Sequence, residues 1–239
     1  MKREPFSFVR LGDGEGIILG YPQFTSKDKM NQRLDKWFGS KHMTEVEKCW
    51  FATELRTAAQ KATILGLPQP RHININQEWR NVARFCDAFH LITAQTLVGS
   101  MDWVLDMHAH NKYCEILRAA HRIVLITCRN IAGRLQSEYR IACPIITHHI
   151  PPQNRPFVGP CLSSEKHYPI RFNLILQSLQ STVTPGTLVL VGAGGLGKIY
   201  CEETRKLGGV ALDIGSMFDA WLDLPTRSHI RKAGGKYKL

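Results

Sequence analysis

Two acids, Asp13 and Glu15, stand two residues apart in the glycine-flanked stretch "RLGDGEG" at positions 10–16, directly after the hydrophobic run "FSFVRL". In a locally extended segment, residues i and i+2 point the same way. The pair then presents two carboxylates on one side, with Gly12 and Gly14 letting a ligand come close. Hard oxygen donors of this kind suit Mg²⁺ or Mn²⁺. A divalent metal on Asp13 and Glu15 would neutralise a diphosphate and stabilise it as a leaving group. The bland alternative is a turn whose acids are simply solvated. Arg10, just before the pair, and Arg129, just past "LITC", have the donor geometry for phosphate, and either can equally pair with Asp13 or Glu15.

A second glycine turn, "GAGGLGK" at 192–198, lies between "TLVLV" and "IYCEETRKLGG". Gly192, Gly194 and Gly197 fit the pattern GxGxxG. Such glycines allow a tight turn and a close approach of backbone amides to a pyrophosphate resting on a helix N-terminus. Gly195 and Lys198 share this turn and are placed at the substrate with it. Asp213 follows about 20 residues on, at the end of the next strand, where a ribose-binding acid belongs. The turn is not a Walker motif, because the spacing to Lys198 is wrong and no Ser or Thr follows the lysine. Only about 40 residues follow Gly197, too few for the remaining units of a full dinucleotide fold. That weakens a nicotinamide reading, although an NAD(P)- or S-adenosylmethionine-dependent enzyme and a non-catalytic nucleotide-binding module stay open.

Weaker candidates are Thr93 and Gln95, at the end of an expected strand, where they can hydrogen-bond a sugar or a base. The doublet His148 and His149 reads more readily as a surface or core-edge pair than as a substrate contact. His108 and His110 lie two apart on an expected helix and do not face one ligand, which argues against zinc there.

The elements that must position these residues follow from periodicity. Strands are expected at 6–11, at "TILGLP", at "HLITAQ" (90–95), at "HRIVLITC", at "RIACPIIT", where Pro144 suggests an edge, at "TLVLV" and at "GVALDIG". Helices are expected at 43–62, with Val46, Trp50, Leu55 and Ala59 on one face, and at 76–89, 101–120, 170–179 and after the second glycine turn. Strands alternating with helices imply a mainly parallel sheet with helices on both faces, Rossmann-like in character. Ligands of such sheets bind beyond the carboxyl ends of the strands, where both glycine turns fall. The chain reads as a single α/β domain over 1–239, with a proline-rich loop near 150–160 ("IPPQNRPFVGP") and a basic tail at 227–239.

Composition narrows the class. The 239 residues are 44% hydrophobic and 21% charged, ordinary for a globular protein. No run approaches the roughly 20 apolar residues of a membrane span, and the N-terminus lacks a signal-peptide pattern. Seven scattered cysteines without a CxxC pair indicate reduced, mostly buried thiols and a cytoplasmic protein. Thirty-one Lys and Arg against 20 Asp and Glu give a net charge of +11, a field that attracts anions. Part of it is the tail "RSHIRKAGGKYKL", with five basic residues and no acid. That tail reads either as a solvated end or as a peripheral contact with the inner face of a membrane. No interleaving of basic and aromatic residues points to nucleic acid.

"FSFVRLGDGEG" and "LVLVGAGGLGKIYCEETRKLGGVALDIGSMFDAW", with "ILGLP", "LITAQ" and "RIVLITCR" between them in order, resemble the GT-D fold glycosyltransferases. The resemblance implies transfer of a sugar from a nucleoside diphosphate donor, UDP-sugars favoured, to a hydroxyl on a glycan or glycosylated acceptor, assisted by Mn²⁺ or Mg²⁺. It places the family's Asp-x-Glu metal motif on Asp13 and Glu15, its glycine turn on Gly192–Gly197, and its "DIG" strand end on Asp213–Gly215. Where members often carry a histidine this chain has Ser216, followed by Asp219 and Asp223. A sugar hydroxyl is a poor nucleophile at neutral pH and needs a base. Asp219, two residues before a Trp221 able to stack on a sugar, is preferred for that role over Asp213, which the turn or a ribose would occupy.

Overall fold

The computed structural model describes residues 4–38, 43–74, 76–153 and 166–239. In chain order the elements are β1 (Phe6–Arg10), α1 (Asp13–Leu19), α2 (Lys27–Phe38), α3 (Glu45–Lys61), β2 (Ile64–Leu67), α4 (Pro70–Ile73), α5 (Gln77–Ala88), β3 (Leu97–Ser100), α6 (Trp103–Ala109), α7 (Lys112–Ala119), β4 (Arg122–Thr127), α8 (Ala132–Glu138) and β5 (Ile145–His149). After the proline-rich segment come α9 (Phe172–Thr182), β6 (Thr187–Val191), α10 (Gly194–Lys206), β7 (Val210–Asp213), α11 (Met217–Trp221) and α12 (Ser228–Ala233).

The seven strands form one sheet in the order β3-β2-β1-β7-β6-β4-β5, parallel at every pairing. β1 and β7 therefore lie side by side, with Phe8 opposite Leu212. A parallel sheet covered on both faces needs strands apolar on both sides, and every residue of β6 (TLVLV) is buried. One face packs against α1, α2, α3, α5, α9 and α10, the other against α6, α7, α8, α11 and α12. The α/β fold, with its parallel sheet and helices on both faces, is thus the one that the strand–helix rhythm implies.

Four local expectations need correction. The third strand is Leu97–Ser100 and not 90–95: His90 takes a left-handed φ of 49° to end α5, and Thr93 and Thr96 hold a turn through their hydroxyls at 3.0 Å. The helix expected over 101–120 is two, broken where Asn111 adopts φ 54°. On α3 the buried stripe is Lys48, Phe51, Ala52, Leu55, Ala58 and Ala59, whereas Val46 is 79% exposed. Of the six cysteines among the described residues, Cys86 and Cys201 are buried and Cys49 is exposed. Pro144 does precede an edge strand, and its carbonyl accepts from Ile123 N at 3.0 Å.

The basic end of the chain is packed. Ile230 is buried, Tyr237 meets His108 edge-on with ring centroids 5.7 Å apart, and Leu239 N donates to Trp221 O at 3.1 Å. Residues 227–239 therefore cover the far side of α11. Among the described residues no helix is long and apolar enough to cross a membrane. Of the loop near 150–160, residues 154–160 lie outside those described.

Candidate active site

β1, β7 and β6 end side by side, and each hands the chain to a short turn: Leu11–Gly12 into α1, Ile214–Ser216 into α11, and Gly192–Ala193 into α10. This is the carboxyl edge, where open parallel sheets bind their ligands. The first turn of α10 receives no side-chain cap from Ala193, so its leading amides face this edge with the positive end of the helix.

Lys198 crosses beneath these turns. It lies one turn into α10, and its ammonium reaches Glu15 Oε1 at 2.7 Å and Asp213 Oδ2 at 2.8 Å. A third proton goes to Gly194 O at 3.2 Å. All three side chains are at most 7% exposed. Burial disfavours the Lys198 ammonium, but the carboxylates of Asp213 and Glu15 outweigh that penalty and raise its pKa. Burial likewise works against ionised Asp213, and there Lys198 and Arg10 prevail and lower its pKa.

Asp213 also joins β7 to β1. Arg10 N donates to Asp213 Oδ2 at 3.3 Å, the Arg10 guanidinium lies 3.6 Å from Oδ1, and Arg10 Nη1 donates to Met101 O at 3.4 Å. That guanidinium needs the next turn to be bare: Gly215 has φ 51°, and a Cβ there would stand 2.0 Å from Arg10 Nη2. Arg10 Nε is buried without a hydrogen-bond partner.

The two glycine turns share one aromatic lid. The Trp37 indole, from α2, would lie 2.4 Å from a Cβ on Gly14 and 2.3 Å from one on Gly195. Close approach of this ring is what both glycines permit. Beside it, Arg33 pairs with Glu78 at 2.7 Å, and its buried Nη1 has no hydrogen-bond partner. Sequence reasoning missed α2 altogether, although Met30, Leu34 and Trp37 repeat at helical spacing and are all buried.

On the other side of Asp213, Arg129 Nε donates to Asp219 Oδ1 at 2.6 Å, and Thr226 Oγ1 donates to Asp219 Oδ2 at 2.5 Å. Each carboxylate oxygen of Asp219 thus already holds one donor, and one of the two is the Arg129 guanidinium. Arg227 Nη2 donates to Gln153 Oε1 at 3.5 Å, and Gln153 stands close above Gly194, 2.9 Å from where its Cβ would lie. Neither Gln153 nor Thr226 carried a sequence signal.

Several expected contacts fall elsewhere. Asp13 opens α1 and its side chain lies outside the described residues, but the segment is helical, not extended, so spacing by two no longer puts Asp13 and Glu15 on one side. Glu15 turns back, its Oε2 accepting from Gly12 N at 3.0 Å. Lys198 is committed to the protein and does not project toward a ligand. Thr93 and Gln95 precede β3 at the amino edge of the sheet, the opposite end from the turns, where they line a depression of about 680 Å³ with Lys61 and Arg205. Trp221 is fully buried, packed edge-on against Tyr113 at 4.9 Å, so it cannot stack on a sugar. Asp223 faces the tail, 3.9 Å from Lys238. His148 Nε2 meets Ser178 Oγ at 3.2 Å on the edge strand. Ser216 opens α11 at the mouth of the site, its carbonyl accepting from Ala220 N at 3.0 Å.

Each Glu15 oxygen already holds a hydrogen-bond donor, Lys198 on Oε1 and Gly12 N on Oε2, and among the described residues, which leave out the Asp13 side chain, no three His, Cys, Asp or Glu side chains converge as a metal set.

The sequence profile of the GT-D fold-like domain matches residues 1–221. The chain belongs to the GT-D-like family. Two solved structures share the family's fold with it. One is described as a domain of unknown function 1792 with a distinct glycosyltransferase fold, at 16% identity and TM-score 0.57. The other is a selenomethionine form of domain of unknown function 1792, at 16% identity and TM-score 0.55. Each alignment covers 91% of this chain and 76% of the other. A comparison with curated proteins returns no match. Membership in the GT-D-like family also agrees with the state of Asp213. An acid that read a dinucleotide ribose would face the ligand, whereas this one is 1% exposed and held by Lys198 and Arg10.

Proposed function

We propose that the protein is a glycosyltransferase that moves a sugar from a nucleoside diphosphate donor, a UDP-sugar foremost, to a hydroxyl of a glycan or glycosylated acceptor. The observation that carries this reading is the convergence of both glycine turns, the uncapped start of α10 and the Arg10 and Arg129 guanidiniums on one carboxyl edge. A diphosphate is the ligand whose charge and shape suit backbone amides plus planar guanidiniums. In the reaction the acceptor oxygen forms a bond to the anomeric carbon as the bond from that carbon to the diphosphate oxygen breaks; the electron pair and its negative charge pass to the diphosphate, and the hydroxyl proton leaves to the departing phosphate oxygen or to water. Groups fixed before the reaction stabilise that charge best, and Asp219 is assigned the task of fixing Arg129.

Thermal-shift screening against UDP-sugars, GDP-sugars, NAD(H) and S-adenosylmethionine tests the proposal, because a ligand that binds only the folded state raises its stability. One nucleotide sugar should raise the melting temperature and be turned over with an acceptor hydroxyl. Stabilisation by NAD(H) or S-adenosylmethionine alone would replace this reading with a cofactor-dependent enzyme. Binding of the nucleotide without turnover would leave a non-catalytic module.

A further inference from the structure

The buried ammonium of Lys198 occupies the space between two carboxylates that come from opposite ends of the chain, Glu15 and Asp213, at 2.7 and 2.8 Å. These are the distances of charge-assisted hydrogen bonds. An ion bridging the same two oxygens would need carboxylate contacts at about 2.1 Å, and the ammonium stands in its way. Among the described side chains the charges are balanced: Arg10 and Lys198 face Asp213 and Glu15. Adding a divalent ion would leave a dry site with surplus positive charge, which burial penalises heavily. The third contact, to Gly194 O at 3.2 Å, uses the last ammonium proton, so Lys198 has no donor left to leave for.

We propose that Lys198 is the resident cation of this site, that it closes the Glu15–Asp213 pair to divalent metals, and that nucleotide-sugar binding here is metal-independent. The last clause rests on the glycosyltransferase reading, while the first two stand without it. Lys198 is a positioning residue in this scheme. It takes over the structural part of a metal's work, holding the turn after β1 against the end of β7, and leaves the charge of the diphosphate to the guanidiniums and the α10 amides.

Binding of Mn²⁺, followed by the paramagnetic resonance signal of the free aqua ion, tests the exclusion without any turnover. The wild-type protein should leave the signal at its protein-free intensity into the millimolar range. Lys198→Ala strips the cation from two carboxylates and should take up one Mn²⁺ per chain, with its melting temperature rising as Mn²⁺ is added. Stoichiometric Mn²⁺ binding by the wild type, abolished in Glu15→Gln, would overturn the proposal. Should Lys198→Ala be unfolded, refolding on addition of Mn²⁺ counts for it, and failure to refold passes the decision to the wild-type titration. In parallel, UDP affinity of the wild type by calorimetry should be the same in EDTA and in Mn²⁺; a loss of tenfold or more in EDTA would refute metal independence. If no nucleotide binds under either condition, the glycosyltransferase reading fails while the Mn²⁺ titration still judges the cation.

Discussion

Lys198 and Asp213 make a buried ion pair at 2.8 Å, with side chains 5% and 2% exposed, across the junction of α10 and β7. Breaking such a pair from one side leaves an uncompensated charge and costs about 3–5 kcal/mol. Asp213→Asn should lose that much in urea unfolding, whereas replacing both partners by apolar residues should cost less than the two single changes combined. The pH dependence has two limbs. Asp213 is lowered in the fold, so its contribution is present above the ordinary carboxylate pKa of about 3.9 and is lost as pH falls through the folded value. Lys198 is raised, so its contribution is present below the usual lysine value of about 10.4 and is lost as pH climbs through the folded value. An Asp213→Asn protein within about 1 kcal/mol of wild type, the net worth of an ordinary neutral hydrogen bond, would show the pair to be dispensable.

His167 supplies a second pH limb. It is buried against Tyr200, Nε2 to hydroxyl at 3.1 Å, and burial, with Arg171 adding to it, pushes its pKa down to about 3. The unfolded chain takes up a proton at the ordinary value of 6.5 while the folded one does not. Stability is therefore full above that value and declines as pH falls from it toward about 3, by up to about 1.4 kcal/mol per pH unit from this group. His167→Gln keeps a hydrogen-bonding side chain and cannot charge, so its stability–pH curve between pH 6 and 4 should be flatter than wild type by about that slope. An unchanged slope would place the acid sensitivity elsewhere.

Trp37 and Gly195 offer a packing test of the lid over the two turns. Trp37→Ala should cost about 3–5 kcal/mol through lost burial and the cavity left behind. Gly195→Ala drives a methyl to within 2.3 Å of the indole and 2.8 Å of Phe51, an overpacking worth about 1–3 kcal/mol. In the double variant the methyl enters the space the indole vacated, so the combined loss should fall below the sum. Strict additivity in thermal unfolding would mean that the ring and the turn do not share that space.

The sheet was legible because its strands are continuous apolar runs and its glycine turns follow them directly. β4 and β6 need no context beyond their own residues to be read as buried strands. The displaced third strand shows the limit: "HLITAQ" has strand-like residues, but a left-handed His90 and a threonine-held turn push pairing on to Leu97. The site was half legible. Gly12 and Gly192 lie in the loops after β1 and β6, and Gly14, Gly194 and Gly195 in the first turns of the helices that follow, all at one edge. What spacing could not reveal was which charged side chains turn inward. Glu15 is far in the sequence from Lys198 and Asp213, and it joins their ion pair only when β1 and β7 become neighbours. α2 escaped notice because its polar residues dilute the stripe of Met30, Leu34 and Trp37 that buries it.

Asp219 separates two accounts of the chemistry. It accepts from Arg129 at 2.6 Å and Thr226 at 2.5 Å, one donor on each oxygen. Its role in the proposed reaction is then to hold Arg129 against the diphosphate. Asp219→Asn keeps one oxygen acceptor but removes the charge that anchors the guanidinium. Donor affinity should fall about tenfold, roughly 1.4 kcal/mol, and turnover at saturating donor should fall by less than the 10²–10⁴ that a general base typically contributes. The pH–rate profile should keep its shape, because the carboxylate removed is not the group that accepts the hydroxyl proton. Calorimetry with UDP and steady-state kinetics on the same variant give both numbers. Unchanged donor affinity, with turnover reduced by that full base factor and the acidic limb of the profile gone, would return Asp219 to the role of base.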